Sequence, residues 1–401
     1  MKVYKGFKFR LYPTPEQESM LSQQSGNTRF LWNKFLEFNL KTYKETQKFQ
    51  FSYEMITSLP KLKDKFEFLK LSFSQSLQQV GRQLDSALKE RFKKSKGFPK
   101  FKKKHNKDSF TVPQKFSIHP KSVKLPKIGK VKWTKHRKIQ GNPKFLTVSR
   151  DGNQWFCSVT CEVNLPDKQY SDKNIVGIDV GLKEFATLSD NTVVKRERHL
   201  DKYTKRLVKE QRKLSRTSKG SNNRKKQIEK VQTVHRKIRN TRKDFLHKTS
   251  SDMIAKYSGV VLEDLNVSGM MKNSKLAKSI SDVGWYEFNR ILEYKSLWNA
   301  KHFIKIDRWF SSSKICNECG SKKVDLKLSD RIYVCKNCGN VVDRDFNASK
   351  NILAEGLNVF YSTVGHTGSN ACGDDKVHFS SVKKKKVVVK ETGKVLTSLI
   401  G

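Results

Sequence analysis

The sequence predicts an α/β plus β protein, in which a small β-barrel interrupted by a helical bundle precedes an α/β domain with an inserted four-cysteine ribbon. Three observations predict this fold class. Alternating strand-like runs at residues 1–11 and 109–165 flank a helical stretch. After residue 173, two apolar strands end in acidic residues. Two C-x-x-C pairs then follow within 23 residues, from Cys316 to Cys338.

The opening segment, KVYKGFKFRLY, alternates charged with apolar side chains, which is the period of a half-buried strand. Its inner face is expected to carry Val3, Phe7, Phe9 and Leu11. No partner strand follows closely, so we expect it to pair within residues 109–172, where Asp151-Gly152 predicts a hairpin turn. Residues 1–11 and 109–172 would together form a small β-barrel, or alternatively an open sheet.

Residues 12–108 are predicted to form a helical bundle inserted into this barrel. Thr14 and Pro15 predict the start of a helix, because threonine is a good cap and proline fits the first helical position. Apolar residues at helical spacing then mark a buried face on each helix. Residues 93–107 hold too many lysines to bury, and Gly97 and Pro99 break any helix there.

This basic loop is predicted to contact nucleic acid. Phe98 and Phe101 offer rings that stack on bases, while the lysines between them bind phosphates. The candidate phosphate ligands are Lys102, Lys103 and Lys104. The simpler alternative is a solvated, charged linker.

The whole chain is basic. Lys and Arg number 83 against 38 Asp and Glu, a formal net charge of +45 at pH 7, and a compact protein tolerates such self-repulsion when a polyanion neutralises it. Hydrophobic residues make up 36% of the chain, which excludes a disordered basic tail. No apolar run reaches the roughly 20 residues of a membrane span. No apolar leader is present either, so we expect a cytoplasmic protein that binds nucleic acid.

The α/β domain is predicted to comprise residues 173–310 and 341–362. Asp179 lies inside an apolar strand, where an unpaired carboxylate is costly to bury. Glu263 ends a second apolar strand, and Asp345 opens a helix. Taken singly, the three acids have plain structural interpretations as a turn former, a strand-end charge and a helix cap.

Carboxylates that converge from two strands and a helix end repel one another unless divalent cations lie between them. Oxygen ligands with open coordination positions suit Mg²⁺ or Mn²⁺. Two such ions about 4 Å apart activate water and stabilise the leaving oxygen in phosphodiester hydrolysis. In so basic a chain, Asp179, Glu263 and Asp345 together favour a metal-dependent nuclease.

Residues 195–258 are predicted to form a helical hairpin with a break at residues 219–223. Between residues 195 and 248 there are 21 Lys or Arg and 5 acidic residues, and such a surface suits phosphates. The candidate nucleic-acid contacts on this hairpin are Arg212, Lys213, Arg224, Lys225, Lys226, Arg236 and Arg239.

Residues 311–340 are predicted to form a zinc ribbon inserted in the α/β domain. In the pattern C-x2-C-x15-C-x2-C, the two cysteine pairs bind the same ion. Each pair lies in a tight turn that is followed by glycine. Four thiolates leave no open position, so the predicted Zn²⁺ is structural; the alternative is a redox pair. The ligands would be Cys316, Cys319, Cys335 and Cys338.

Six stretches of the sequence resemble the TnpB family, which insertion sequences encode and which is similar to the ancestors of type V CRISPR effectors. In the family's order they are KFRLYPTPEQ, GFPKFKKK, GIDVGLKEFATLSD, VLEDLNVSGM, SSKICNECG…YVCKNCG and DRDFNASKNI. They span residues 8–352, which is nearly the whole chain. The lysine-rich tail, residues 363–401, departs from the family's pattern, and we expect it to be disordered.

The resemblance implies a RuvC-type nuclease domain of RNase H-like fold, whose three acids would be Asp179, Glu263 and Asp345. Asp345 is chosen over Asp343 because the family's third acid begins the pattern D-x-N-A, whose asparagine is Asn347 here. All three acids are present, so nothing at these positions suggests a catalytically inactive relative.

The resemblance also implies the partners. TnpB-like proteins use a guide RNA derived from the end of the mobile element, and they cleave double-stranded DNA that pairs with the guide beside a short adjacent motif. Base pairing then reads most of the target, and the protein reads the short motif and the duplex shape. We expect one protein per RNA, in the prokaryotic cytoplasm and on the nucleoid when it is bound to DNA.

Other functions stay open at this point. An RNA-guided DNA-binding protein that does not cut would have the same fold, although it would not need three intact acids. A strand-joining transposase of the tyrosine type would need a His-x-His metal pair, and none of the nine histidines lies two residues from another. A general RNA-binding protein would leave the acids unexplained.

Overall fold

The computed structural model describes residues 1–93, 97–104, 108–165, 170–171, 173–327, 329–365, 387–389 and 395–397. The chain divides into two compact units, Met1–Pro166 with Ser381–Gly401, and Asp167–Ser380. Most of the predicted tail, and residues 94–96 and 105–107 of the basic loop, lie outside the described residues. Within the described part of the chain, no helix is long and apolar enough to cross a membrane.

The first unit is built on one large sheet. Its strands are β1 (Lys2–Tyr12), β2 (Ser109–Val112), β3 (Ser117–Ile118), β4 (Ser122–Leu125), β5 (Gly129–Thr134), β6 (Asn142–Asp151) and β7 (Gln154–Asn164). Their order in the sheet is β2-β6-β7-β1-β5-β4-β3. Two late strands, Val387–Val389 and Val395–Thr397, pair with each other, and the former also runs parallel to β1.

The opening strand pairs in the region that the sequence predicts. β1 runs antiparallel to β7 from Lys2 to Leu11, and its last residues also pair with β5. Its alternation buries Phe7, Phe9 and Leu11 in one apolar core with the later strands. Among the described residues the outer strands β2 and β3 do not pair with each other. Closure of the sheet into the predicted barrel is therefore not confirmed.

Among the described residues between β1 and β2, four segments are helical. They are α1 (Pro15–Thr46), α2 (Ser52–Thr57), α3 (Leu59–Lys65) and α4 (Ser74–Phe92), with a 3₁₀ turn at Glu67–Leu71. The predicted cap of α1 is confirmed. Thr14 Oγ1 accepts the N–H of Gln17 at 3.3 Å, and the N–H of Thr14 donates to Gln17 Oε1 at 3.2 Å. The helices share an apolar core that includes Leu31, Phe35 and Leu84.

The second unit holds a five-stranded sheet of mixed direction. Its strands are β8 (Ile175–Val180), β9 (Ala186–Leu188), β10 (Val193–Val194), β11 (Gly259–Glu263) and β12 (His302–Ile306), in the order β10-β9-β8-β11-β12. The strands β8, β9 and β10 are antiparallel neighbours. β11 runs parallel to both β8 and β12. The carboxyl ends of β8, β11 and β12 therefore lie at one edge of the sheet.

The predicted helical hairpin lies between β10 and β11. It consists of α5 (His199–Ser215) and α6 (Asn222–Lys256), and Ser221, within the predicted break, caps α6 by accepting the N–H of Arg224 at 3.1 Å. Leu207 packs against Val234 and Ile238 between the two helices. The remaining helices are α7 (Val267–Met270), α8 (Ser274–Val283), α9 (Trp285–Trp298) and α10 (Arg344–Gly365).

A short two-stranded ribbon lies in the sequence between β12 and α10. Its strands, β13 (Ile332–Val334) and β14 (Val341–Asp343), are antiparallel and pair Val334 with Val341. The loop between them carries the second C-x-x-C pair, and β14 leads directly into α10.

The helix α10 lies directly against the sheet at two glycines. A Cβ atom on Gly177 of β8 would lie 2.2 Å from the carbonyl oxygen of Ser349, and one on Gly356 would lie 2.2 Å from Cγ1 of Val261 in β11. Both distances are far below van der Waals contact, so only glycine permits this approach. The two contacts fix α10 across β8 and β11.

Gly177→Ala is expected to destabilise the second unit, because the added methyl group would clash with the backbone of α10. Backbone atoms, unlike a flexible side chain, cannot rotate out of the way. Overpacking of this kind costs about 1–3 kcal/mol, and each kcal/mol lowers the melting temperature by roughly 2–4 °C in a unit of this size. Thermal unfolding followed by circular dichroism measures the change. Gly97→Ala is the control, since nothing lies within 4 Å of a Cβ atom built there. Equal melting temperatures for the two variants would contradict the close packing.

Candidate active site and metal centre

Two of the three predicted acids lie at the carboxyl ends of neighbouring strands, at the same edge of the sheet. In the parallel register of β8 and β11, Ile178 pairs with Leu262. The next residues are Asp179 and Glu263, which therefore lie side by side at the ends of adjacent strands. Both side chains are half-buried.

The third acid approaches this edge on α10. Asp345 lies in the first turn of α10, one turn before Ser349, which contacts Gly177 of β8. Asp343 has a different role, since its Oδ1 accepts the N–H groups of Asp345 at 2.9 Å and Phe346 at 3.0 Å. Asp343 thus caps the helix with the carboxylate oxygen, and Asp345 is left for other partners.

The carboxylates act on one another electrostatically. Burial, and then the negative charges of Glu263 and Asp345, raise the pKa of Asp179 to about 8, while Arg344 opposes the rise. Burial also raises the pKa of Glu263, against a hydrogen bond from Ser312. Like charges that share a partly dry site hold one proton unless a cation replaces it. The site therefore has the electrostatics of a place where a divalent cation would bind.

The three acids do not form a closed ligand set. Among the described residues, the metal-binding cluster of acidic, cysteine or histidine side chains is that of the four cysteines, whose ligand atoms all lie within 4.8 Å of one another. The three acids are not part of such a cluster. Asp345 is paired with arginines, with Arg344 Nη2 at 2.8 Å and Arg331 Nη1 at 3.9 Å. Positive side chains thus neutralise one of the acids in this structure.

The structure adds Ser312 and two arginines that the sequence analysis did not identify. Ser312 Oγ donates to Glu263 Oε1 at 2.5 Å, from a position 49 residues further along the chain. Arg331 reaches Asp345 from the ribbon. Of these three residues, only Arg344 lies next to a predicted acid in the sequence, since it directly precedes Asp345. The other two contacts depend on the tertiary fold, so no sequence pattern could have predicted them.

Two buried asparagines of α10 hold the segment that leads into the ribbon. Asn347 Nδ2 donates to the carbonyl of Ile315 at 2.7 Å. Asn351 Nδ2 donates to the carbonyls of Ser312 at 2.7 Å and Ile315 at 2.6 Å. Because Ser312 also contacts Glu263, these asparagines link α10, the entry to the ribbon and the second acid.

The four predicted cysteine ligands converge on one point. Their Sγ atoms all lie within 4.8 Å of one another. Cys316 and Cys338 are 3.7 Å apart, and Cys319 and Cys335 are 3.6 Å apart. Tetrahedral bonds of about 2.3 Å to zinc would separate the sulfurs by about 3.8 Å. The donor set therefore fits one zinc ion.

Matching glycine turns shape the two halves of this cluster. The N–H of Gly320 donates to the carbonyl of Cys316 at 2.9 Å, and that of Gly339 donates to Cys335 at 3.1 Å. Both glycines have φ +73°, in the left-handed region that favours glycine. The hydrogen bonds with the side chains of Ser321 and Asn337 lower the pKa of Cys319 to about 5, which favours the thiolate that binds metal.

The candidate contacts on the hairpin fall into two groups. Arg224 Nη1 donates to the carbonyls of Leu214 at 3.0 Å and Thr217 at 2.9 Å, which closes the turn between α5 and α6. Arg236 is buried. Both residues thus have an internal role, and their predicted contact with nucleic acid stays a prediction. The exposed candidates are Arg212, Lys213, Lys225, Lys226 and Arg239.

The described part of the basic loop is fastened to α1. The N–H of Lys102 donates to Asn33 Oδ1 at 2.7 Å, and the Lys102 carbonyl accepts from Asn33 Nδ2 at 3.0 Å. Lys102 Nζ also lies 3.8 Å from the ring centroid of Trp32. Lys103 and Lys104 are exposed.

The fold and site define a class: a strongly basic, two-unit protein with acids at the ends of parallel strands and a four-cysteine metal-binding cluster. Family models match in three places. A model described as "Probable transposase", of the IS605 OrfB type, matches residues 158–274. A "Cas12f1-like, TNB domain" model matches residues 285–352. A "Helix-turn-helix domain" model matches residues 1–48, which here form β1 and α1.

Curated relatives extend over almost the entire chain. It is 36% identical over 381 residues to a "Putative RNA-guided DNA endonuclease" of Streptomyces pristinaespiralis, covering 93% of this chain and 92% of that protein. It is 34% identical over 375 residues to "Putative RNA-guided DNA endonuclease InsQ" of Escherichia coli K12, covering 89% and 93%. The chain therefore belongs to the TnpB family.

A solved structure has a similar fold. The chain resembles the protein of a Cas12f1–sgRNA–target DNA complex with a TM-score of 0.51 and 15% identity, covering 88% of this chain and 98% of that one. At this identity the likeness shows the fold alone. It agrees with the predicted mixture of an α/β domain and further β structure.

Cys335→Ser is expected to release the bound metal, because three thiolates bind zinc far less tightly than four. The measurement is elemental analysis of purified protein, in which the wild type should contain one zinc per chain. Cys161→Ala is the control, since Cys161 is buried in the sheet of the first unit and should leave the zinc content unchanged. Wild-type protein that folds without zinc, or a Cys335→Ser variant that retains a full equivalent, would contradict the assignment.

Proposed function

We propose that this protein is an RNA-guided DNA endonuclease encoded by a mobile element, which hydrolyses phosphodiester bonds in DNA that pairs with its guide RNA next to a short target-adjacent motif. Support for the guided activity comes from the two relatives that bear this name and align with 93% and 89% of the chain. The observation that carries the catalytic part is the parallel register of β8 and β11, which brings Asp179 and Glu263 to the ends of adjacent strands. The raised pKa of Asp179, to which the charges of Glu263 and Asp345 contribute after burial, supports it.

The second unit would be a RuvC-type nuclease domain of RNase H-like fold. Its sheet supports this assignment, because three antiparallel strands are followed by two strands that run parallel to the first. The helix that carries the last acid packs across the central strand β8 and its neighbour β11. The acids occur along the chain in the order Asp, Glu, Asp, which is the order that the family resemblance implies.

Asp179, Glu263 and Asp345 would hold Mg²⁺ or Mn²⁺, which when bound supplies an activated water and stabilises the leaving oxygen. The protein's own groups orient the site. Ser312 restrains Glu263 through its hydrogen bond. Arg344 and Arg331 neutralise Asp345 in this structure, and their guanidinium groups suit a phosphate when cations occupy the acids.

Guide RNA and target DNA would be held largely by charge. The exposed cations of α5 and α6 lie on a hairpin rich in Lys and Arg, and the loop with Lys103 and Lys104 adds a second basic segment. The four cysteines would hold a structural Zn²⁺. We further propose one protein per RNA, acting in the cytoplasm of a prokaryotic cell.

One observation favours a second candidate function, guided DNA binding without cleavage. Asp345 is paired with two arginines, and such a pair would have to open before the carboxylate could bind a metal. A protein in which the pair stays closed would bind its target and not cut it. The cleavage test below separates the two functions.

Asp179→Asn, Glu263→Gln and Asp345→Asn are each expected to abolish cleavage of matching DNA in Mg²⁺, because each removes a negative ligand. Each variant should still copurify with guide RNA and bind target DNA. The protein is expressed with the flanking element DNA present, the bound RNA is sequenced, and labelled matching DNA is the substrate. Glu293→Gln is the matched control: Glu293 is an exposed acidic residue of α9 in the same unit, and its variant should cut like the wild type.

The outcome of this experiment discriminates between the candidates. If the wild type binds RNA and matching DNA but cuts no more than the three variants, guided binding without cleavage replaces the nuclease. If Glu293→Gln loses cleavage as fully as Glu263→Gln does, the assignment of the acids is wrong.

Lys225→Ala combined with Lys226→Ala is expected to weaken RNA binding and to flatten its dependence on salt. The slope of log affinity against log salt should fall by about 0.7–0.9 for each phosphate that the variant no longer neutralises. Filter binding over a series of salt concentrations measures the slope. The double arginine variant at the same positions keeps the charge and should keep the slope. An unchanged slope in the alanine variant would exclude this face of α6 from the interface.

A further inference from the structure

Trp309 is the most exposed large hydrophobic side chain in the described part of the chain, with 84% of its surface exposed. A single exposed hydrophobic residue is common and needs no explanation. Trp309 differs because the backbone around it is held in a defined turn. That turn also lies beside the candidate active site.

The turn that carries Trp309 follows β12 directly. Asp307 Oδ1 accepts the N–H of Trp309 at 2.7 Å, and the Asp307 carbonyl accepts the N–H of Phe310 at 3.2 Å. Phe310 packs into the core between the sheet and α10, with Ile304 and Ile352. The turn therefore buries one of two consecutive aromatic residues and leaves the other in solvent.

Contacts on both sides of Trp309 tie it to the second acid of the site. In the parallel register of β11 and β12, Glu263 pairs with Ile306, so β12 ends at the edge where the acids lie. On one side, Arg308 pairs with Asp264, the residue after Glu263. On the other side, Ser312 donates to Glu263 itself at 2.5 Å. Three residues span at most about 11 Å, so the backbone of Trp309 lies within that distance of the backbone of Ser312, whose side chain contacts Glu263.

We propose that Trp309 stacks on an unpaired base of the DNA strand next to the phosphate that is cut. The inference rests on the proposed function and adds a positioning residue to it. An acidic site attracts a phosphate backbone only weakly, so a strand needs another means of being held there. A planar indole supplies it, because every base has a face on which an aromatic ring can stack, whatever the sequence.

This proposal has a consequence for the state of the substrate. The faces of bases inside a duplex are covered by their neighbours, so a base that stacks on Trp309 must have left the helix. The strand at this site is therefore single-stranded, or is opened locally, before it is cut.

The test measures stacking without cleavage. The full-length protein with its copurified RNA and its zinc is mixed, without added Mg²⁺ or chelator, with single-stranded DNA probes that each carry one 2-aminopurine, a base whose fluorescence falls on stacking. For the wild type, we expect quenching at one or two adjacent probe positions. Trp309→Ala should abolish this quenching and weaken binding of the probe by about 5- to 150-fold. Trp309→Phe should retain most of both effects.

Tyr361→Ala is the matched control. Tyr361 is 53% exposed near the carboxyl end of α10, whereas Asp345 lies at its amino end, so this variant should behave like the wild type. Trp309 is hardly buried, so its alanine variant should fold, which thermal unfolding and RNA content verify.

Wild-type quenching and affinity in Trp309→Ala would overturn the proposal. A change in sedimentation without a change in DNA binding would also overturn it and would indicate a protein contact. The stacking signal needs no cutting, so a wild type that quenches the probes but cleaves nothing in Mg²⁺ would refute the nuclease and not the role of Trp309.

Discussion

The contact between α10 and β8 at Gly177 positions the rest of the candidate site. A side chain at this position would meet the backbone of Ser349 and Leu353, so the helix can lie this close only against glycine. One turn earlier on the same helix is Asp345, and the buried faces of its next turns carry Asn347 and Asn351, which hold the entry to the ribbon. The third acid and the cysteine cluster are thus positioned by one helix.

Charge is the second constraint. The chain has a net charge of +45 and nevertheless gathers three acids at one edge of a sheet. Burial is the larger cause of the raised pKa of Asp179, and the negative charges of the other two acids add to it. Arg344 and Arg331 compensate in part by pairing with Asp345. Divalent cations would compensate for all three carboxylates and would release the arginines for a phosphate. In the proposed function, the basic hairpin of α5 and α6 would supply the long-range attraction for nucleic acid that an acidic site lacks.

Local patterns predicted the elements that follow local rules. The cap at Thr14, the buried alternation of β1, the break before α6 and the glycines after each cysteine pair all depend on neighbours within a few residues. Tertiary contacts decided the rest. Arg224 closes the turn between α5 and α6, and Arg236 is buried in the hairpin; the sequence indicated only their charge. Ser312 reaches Glu263 across 49 residues, which no periodicity can indicate.

The central claim is that Asp179, Glu263 and Asp345 form one divalent-cation site, and thermal unfolding with and without Mg²⁺ tests it most directly. With a pKa of about 8 in the folded protein and about 4 in the unfolded chain, Asp179 makes metal-free protein lose stability as pH rises between those values. The account predicts that Mg²⁺ raises the melting temperature more at pH 8.5 than at pH 5, and that Asp179→Asn loses this gain. Equal Mg²⁺ effects on both proteins would contradict it.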